Sequence, residues 1–129
     1  MIKYTRDGIF GCVNIEPQQL FSALAHSTRL RCLVLLTRHE ELCVCELTHA
    51  IGAAQPHISR HLAQLRELGL VSDRREGLWI HYRIAPGLPE WVRSVLQVTA
   101  DGVEHQGAFA ADEGALSAMP NRPGAPKCA

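Results

Sequence analysis

Two cysteines separated by one residue, Cys43 and Cys45, are the side chains of this sequence with the clearest chemical potential. Thiolates are soft ligands that select soft or borderline ions. The alternative is a pair of buried small hydrophobic residues, because free cysteine is commonly buried. Positions i and i+2 of a helix do not face each other, so one core-facing stripe cannot take both side chains. The pair is therefore predicted to bind a soft ion.

The pair is predicted to lie in the first turn of a short helix over residues 42–51. Val44, Leu47 and Ile51 would face the core of the domain. Successive helical residues turn by about 100°, so residues i and i+2 diverge by about 200°. One ion can then bridge both sulfurs only if the start of the helix opens. We expect ion binding to distort that start and to shift the neighbouring helix that it supports.

Hydrophobic spacing predicts the elements that position the pair. One helix begins at Glu16-Pro17 and a second covers residues 29–39, both ahead of the thiol-bearing helix. After Gly52 a further helix covers residues 55–68, with Pro56 near its start. Two strands over residues 70–75 and 78–84 form a hairpin, and a last helix covers residues 91–100. The sequence thus predicts a mainly α-helical fold with a β-hairpin wing, a winged helix-turn-helix.

The helix over residues 55–68 occupies the position of the DNA-reading helix. In a helix-turn-helix this second helix enters the major groove, and its outer face meets the base edges. Residues 55–83 contain five arginines against three acidic side chains. Polar helix faces are usually just solvated, but the order of the elements favours DNA binding. The predicted contacts are Gln55, His57, Ser59, Arg60, His61 and Gln64 on the helix, with Arg74, Arg75 and Gly77 in the hairpin.

Length and composition predict one domain between two flexible ends. The chain has 129 residues, 47% of them hydrophobic, with 13 basic and 13 acidic side chains. We expect a flexible segment over residues 1–15, a folded domain over 16–105 and a disordered tail over 106–129, rich in glycine, alanine and proline. Neither a signal peptide nor an apolar run long enough for a membrane is apparent, so a cytoplasmic protein without a membrane partner is expected. Five cysteines in that compartment predict free thiols.

Five motifs occur in an order that is typical of one protein family. They cover residues 20–25 (LFSALA), 28–31 (TRLR), 41–47 (ELCVCEL), 55–62 (QPHISRHL) and 69–77, which begin GLV and end RREG. Residues 18–83 thereby resemble the ArsR/SmtB family of metal-responsive repressors. The resemblance implies a homodimer that is packed through its first and last helices and binds double-stranded DNA at a palindromic operator.

The resemblance is to the arsenite-responsive type of this family. It implies repression that is relieved when arsenite, or antimonite as a second inducer, binds cysteine thiolates, with no organic cofactor. The sequence shows neither a glycine-rich phosphate loop nor a Ser-His-Asp order, so we do not expect an enzyme. Two alternatives stay open: a sensor of another soft ion (cadmium, lead, antimonite) or of an organoarsenical, and a thiol-redox regulator that uses the pair as a reversible disulfide.

The third ligand of the ion is the open question at this site. The family implies a trigonal sulfur site, and many arsenic-sensing relatives carry a third cysteine three residues after the pair, where this chain has Thr48. Cys12 is the preferred third ligand, because cadmium- and lead-sensing relatives use N-terminal cysteines in that way. Cys128 is the second choice, and a solvent hydroxide or a small thiol is a further option. Cys32 lies in an apolar helix and is predicted to be core.

Overall fold

The computed structural model describes residues 15–123, which form helices packed on a small antiparallel sheet. The winged helix-turn-helix prediction is confirmed. In chain order the elements are α1 (Pro17–Leu24), α2 (Ser27–Arg38), β1 (Leu42–Cys43), α3 (Val44–Ile51), α4 (Gln55–Glu67), β2 (Val71–Glu76), β3 (Trp79–Ile84), α5 (Glu90–Gly102) and α6 (Gly107–Ser117).

Helix α2 is the centre of the core. Five consecutive residues, 32–36, are buried, because α1, α4, α5 and α6 pack around this helix. A helix that is buried on nearly every side must lie inside its domain. Cys32 is fully buried there, as predicted, and burial raises the pKa of its thiol to about 12. This cysteine is a packing residue.

The helix boundaries follow local capping rules with one surprise. Gly52 ends α3 at a φ of 77°, a left-handed conformation that glycine adopts without strain. Pro56 lies in the first turn of α4, where its missing N–H is not needed. Helix α2 begins at Ser27, two residues before the predicted start at residue 29. His26 is the N-cap, and its Nδ1 accepts a hydrogen bond from the Thr28 backbone N–H at 3.2 Å.

The sheet contains a strand that the sequence pattern did not predict. Strand β1 pairs antiparallel with β3, which also pairs with β2, so the order is β1-β3-β2. In this register Leu42 lies opposite Tyr82, and Cys43 lies opposite His81. The predicted helix over residues 42–51 therefore begins two residues too early. Both residues of β1 are apolar and buried. They therefore continued the apolar pattern of α3, and the helix was predicted to begin with them.

The prediction of a disordered tail after residue 105 is wrong for residues 107–117, which form α6. This helix packs against α3 and α2 and buries Leu116 and Asp112. The Asp112 carboxylate accepts two hydrogen bonds from Arg31, at 2.6 and 2.8 Å. Helix α6 was not predicted because its alanines and glycines form almost no apolar stripe.

The remaining predictions for the chain ends lie outside the described residues. These are the flexibility of residues 1–14, the disorder of residues 124–129, and the roles of Cys12 and Cys128. Within residues 15–123, no helix is both long and apolar enough to cross a membrane.

We expect Asp112→Ala to destabilise the protein by about 2 to 4 kcal/mol. Loss of one partner from a buried ion pair is strongly destabilising, and the partial exposure of Arg31 moderates the cost. Urea unfolding measures the change. Glu104→Gln is the matched control, because the Arg38–Glu104 pair is longer, at 3.7 Å, and half-exposed, which predicts less than about 1 kcal/mol. Equal losses in the two variants would contradict a structural role for α6.

Candidate thiol site and nucleic-acid interface

Cys43 and Cys45 lie side by side at the start of α3. Their Sγ atoms are 2.9 Å apart, which is too long for a disulfide bond of about 2.05 Å. Cys43 is the N-cap of the helix, with an extended backbone at φ −74° and ψ 153°. The expectation that the two side chains diverge is therefore wrong, because only Cys45 is helical. No opening of α3 is needed to bring the sulfurs together.

Glu46 fixes the backbone conformation that places the two sulfurs side by side. Its Oε1 accepts a hydrogen bond from the Cys43 backbone N–H at 2.7 Å. In return the Cys43 sulfur accepts a hydrogen bond from the Cys45 backbone N–H at 3.4 Å. This is a capping box in which sulfur replaces the usual hydroxyl oxygen. Glu46 is fully buried, and its other oxygen accepts a hydrogen bond from Arg122 Nε at 2.5 Å.

The thiol of Cys45 holds its proton in the ion-free protein. Burial, and then the hydrogen bond with Cys43, raise its pKa to about 12. A divalent soft ion such as Cd²⁺ binds the thiolate and releases this proton to solvent. The affinity of the pair for such a cation is therefore expected to rise with pH across the neutral range, whereas arsenite takes up the thiol protons on its departing hydroxides as water and should show little such dependence.

The described part of the chain does not complete the ligand set. Within residues 15–123, no group of three His, Cys, Asp or Glu side chains is arranged to hold a metal ion. Thr48 lies one turn after Cys45, and its hydroxyl is buried without a hydrogen-bond partner in residues 15–123. The two candidate cysteines for a third sulfur, Cys12 and Cys128, both lie outside the described region, and a small thiol stays a further option.

Helix α4 presents most of the predicted DNA contacts on one exposed face. Gln55, Arg60 and Gln64 are exposed, and Ser59 and His57 are partly exposed. The Arg60 guanidinium lies 3.0 Å from Nδ1 of His57. Arg29 donates a hydrogen bond to the Gln64 amide oxygen at 3.2 Å, which orients that side chain on the surface.

His61 is the exception on this helix, because its side chain is buried. The residue is 5% exposed, and its ring lies 4.3 Å from that of His26 and 4.5 Å from that of His57. Neither ring nitrogen has a hydrogen-bond partner among residues 15–123. Burial, and then the neighbouring His26, lower the pKa of His61. The predicted DNA contact at His61 is therefore wrong: the ring packs α4 against the start of α2.

In the hairpin, Arg74 is engaged by carboxylates. Its guanidinium donates to both oxygens of Glu41, at 2.7 and 2.8 Å, and to Glu76 at 3.2 Å. This pairing ties the wing to the body, while about half of the Arg74 side chain stays exposed. The DNA contact by Arg74 stays a prediction. Gly77 turns the chain at a φ of 62°, and Arg75 is exposed beside it.

The hairpin tip carries two apolar side chains that sequence reasoning missed. Leu78 is 96% exposed and Trp79 is 47% exposed. The predicted strand began at Leu78, whereas the structure places this residue in the turn and begins β3 at Trp79. The one available signal was its position directly after Gly77.

Comparisons with known proteins place these features in one group. Residues 26–73 match the family model described as bacterial regulatory protein, arsR family. The chain is 46% identical to the arsenic resistance transcriptional regulator ArsR1 of Pseudomonas putida, over 87% of this chain and 86% of that protein.

Two solved structures share the fold. The antimony-specific transcriptional repressor AntR is 35% identical, with a TM-score of 0.56, over 66% of this chain and 74% of its own. A homodimeric winged helix-turn-helix DNA-binding domain from Mycobacterium bovis is 36% identical, with a TM-score of 0.54, over 69% of this chain and 82% of its own.

The buried His61 predicts a loss of stability in mild acid. Its folded-state pKa is lowered, so the unfolded chain takes up the proton first as the pH falls below about 6.5. The stabilisation is thus complete at neutral pH and declines as the pH falls toward the folded-state pKa. Urea unfolding at pH 7.0 and 5.5 should show a smaller difference for His61→Phe than for the unmodified protein. His49→Gln, at an exposed position, is the control, and a matching reduction in that variant would refute the assignment.

Proposed function

The chain belongs to the arsR family of bacterial regulatory proteins and is a transcriptional repressor, and we propose that it releases its operator when arsenite binds Cys43 and Cys45. The observation that carries this proposal is the 2.9 Å separation of two sulfurs at the N-terminus of α3. This helix packs directly on α4, which is the DNA-reading helix of the motif.

The spacing of the sulfurs suits a single soft ion. With an ion–sulfur bond of about 2.3 Å and bond angles between a right angle and the tetrahedral value, two ligating sulfurs lie about 3 to 4 Å apart. The pair needs only a small widening to reach that range. Thiolate ligands also favour soft ions over magnesium or calcium, which prefer oxygen. The arsenic and antimony named for the two relatives support arsenite as the inducer, with antimonite as a second.

Two contacts support a route from the thiol pair to DNA. Cys43 belongs to β1 and lies opposite His81 of β3, so its displacement reaches the wing through the sheet. Cys45 belongs to α3, which packs on α4. The ion releases DNA to the extent that it binds the DNA-free conformation more tightly, and such coupling is typically about 1 to 3 kcal/mol.

On the DNA side, we propose that Gln55, His57, Ser59, Arg60 and Gln64 contact the major groove. Their exposure on one face of α4 supports this assignment. Arg75 and Gly77 of the wing would contact the sugar-phosphate backbone, while Arg74 holds the wing in place through Glu41.

A homodimer on a palindromic operator completes the proposal. α1 and α5 each leave large apolar side chains uncovered in the single chain: Phe21 is 53% exposed, Trp91 41% and Val98 70%. Apolar residues of this kind are typical of surfaces that a partner covers. The homodimeric state of the structural relative supports the same arrangement.

A thiol-redox regulator is the second candidate, and the close approach of the sulfurs favours it specifically. Oxidation would join Cys43 and Cys45 in a disulfide, with two electrons passing to an oxidant such as peroxide. The protonated state of Cys45 acts against it, because the thiolate is the reactive form.

We expect arsenite to release operator DNA under strong reductant, and the Cys43→Ser and Cys45→Ser variants to bind DNA without responding. The serine hydroxyl keeps the cap but is a poor ligand for a soft ion. Fluorescence anisotropy of a labelled promoter duplex measures the release, and Cys32→Ala is the control that removes a thiol away from the pair. Release of either serine variant by arsenite would refute the site. Release by peroxide alone, reversed by reductant, would instead identify the redox regulator.

For the third ligand we keep Cys12, as the sequence resemblance suggests. X-ray absorption at the arsenic edge should then count three sulfurs in the unmodified protein and two in Cys12→Ser. Cys128→Ser is the informative comparison, since Arg122 anchors the chain at Glu46 only six residues before Cys128. Three sulfurs in Cys12→Ser with two in Cys128→Ser would transfer the role to the C-terminal cysteine.

A further inference from the structure

Arg122 connects the C-terminal part of the chain to the thiol pair. It follows α6 and lies well beyond residues 26–73, the part that the family model matches. Its Nε donates to Glu46 Oε2 at 2.5 Å, and its side chain is four-fifths buried in this contact. An ion pair between exposed side chains contributes little to stability. The Arg122 contact differs from such pairs because its partner, Glu46, is fully buried.

A continuous path of hydrogen bonds leads from Arg122 to the two sulfurs. One carboxylate oxygen of Glu46 accepts the hydrogen bond from Arg122. The other oxygen accepts a hydrogen bond from the Cys43 backbone N–H at 2.7 Å. That second bond is half of the capping box that holds Cys43 in its extended conformation. The other half is the bond from the Cys45 N–H to the Cys43 sulfur. The orientation of the Glu46 carboxylate therefore bears directly on the separation of the sulfurs.

Charge gives Arg122 a second effect at the same place. When a soft ion binds, two thiolates form beside a buried carboxylate, and like charges in a buried site repel each other strongly. The guanidinium of Arg122 offsets the charge of Glu46. Without it, the charged Glu46 would be an unpaired buried anion next to the thiolates.

We propose that Arg122 is a positioning residue of the thiol site: it orients and neutralises Glu46, and Glu46 holds Cys43 and Cys45 ready for a soft ion. The proposal rests on the proposed function only in that the pair binds a soft ion, whichever ion is the inducer. Residues that orient metal ligands from outside the ligand set typically contribute about 10- to 100-fold to metal affinity.

The test compares ion affinity in Arg122→Met, Arg122→Lys, Glu46→Gln and the double variant Arg122→Met/Glu46→Gln. Arsenite and, separately, Cd²⁺ are titrated against the full-length protein, and binding is followed by the ultraviolet absorption of the sulfur–ion bond. Arg122→Met should weaken binding about tenfold or more, and Arg122→Lys should restore most of the loss. In the Glu46→Gln background, Arg122→Met should change the affinity by less than about twofold, because its effect passes through the carboxylate.

Glu113→Gln is the matched control for a purely structural effect of α6. Glu113 pairs with His39 at 2.6 Å and so also fastens α6 to the body, but within residues 15–123 it forms no hydrogen bond or ion pair with Glu46. It should leave ion affinity within about twofold of the unmodified protein. Thermal unfolding of every variant identifies any that are not folded, and the affinity of Arg122→Lys keeps the proposal testable if Arg122→Met is among them.

Three results would overturn the proposal. These are unchanged affinity in Arg122→Met, an equal loss in Glu113→Gln, and the full loss from Arg122→Met persisting in the Glu46→Gln background. Failure of the proposed function gives a different result. The protein would then ignore arsenite while the Cd²⁺ titrations still showed the dependence on Arg122.

Discussion

The capping box at the start of α3 is the interaction on which the site depends. A helix leaves its first backbone N–H groups unpaired, and a side chain at the N-cap must satisfy one of them. Here the side chain belongs to Cys43, whose backbone is extended and whose sulfur accepts a hydrogen bond from the Cys45 N–H. That requirement brings one sulfur beside the other. The same side chain thus satisfies the backbone and forms half of a ligand pair, so the ion site and the helix terminus cannot be altered independently.

The location of this helix terminus explains how a local ligand can act on a distant surface. The N-cap residue is also in β1, which pairs with β3 of the wing, while α3 packs on α4. The thiol pair therefore lies where α4 and the wing, the two elements that we propose to contact DNA, share a support. Glu46 and Arg122 add a third connection, to the chain that follows α6. In the proposed mechanism, ion binding changes the contacts at this junction, and its effect on DNA depends on how the junction rearranges.

Hydrophobic spacing predicted most of the fold, because periodic apolar stripes mark α2, α4 and α5 directly. It failed where the evidence for structure is not periodic. β1 is two residues long, and cysteine is not among the usual capping residues, so the i, i+2 argument assumed a helix that had not yet begun. α6 was missed because ion pairs with Arg31 and His39, rather than an apolar stripe, hold it in place. The outward face of α4 was predicted apart from His61, since only the packing of His26 shows that this ring is buried.

In the proposed mechanism the pair binds its ion with α3 intact. Hydrogen–deuterium exchange of the α3 backbone in the operator-bound protein, with and without arsenite, is the decisive measurement. The Leu47 and Thr48 N–H groups lie in the first turns, where unwinding would expose them. Both should stay protected when arsenite binds, with increased exchange confined to residues that contact DNA. Rapid exchange of these two amides in the arsenite-bound protein would contradict it and would restore the unwinding mechanism that the spacing of the cysteines first suggested.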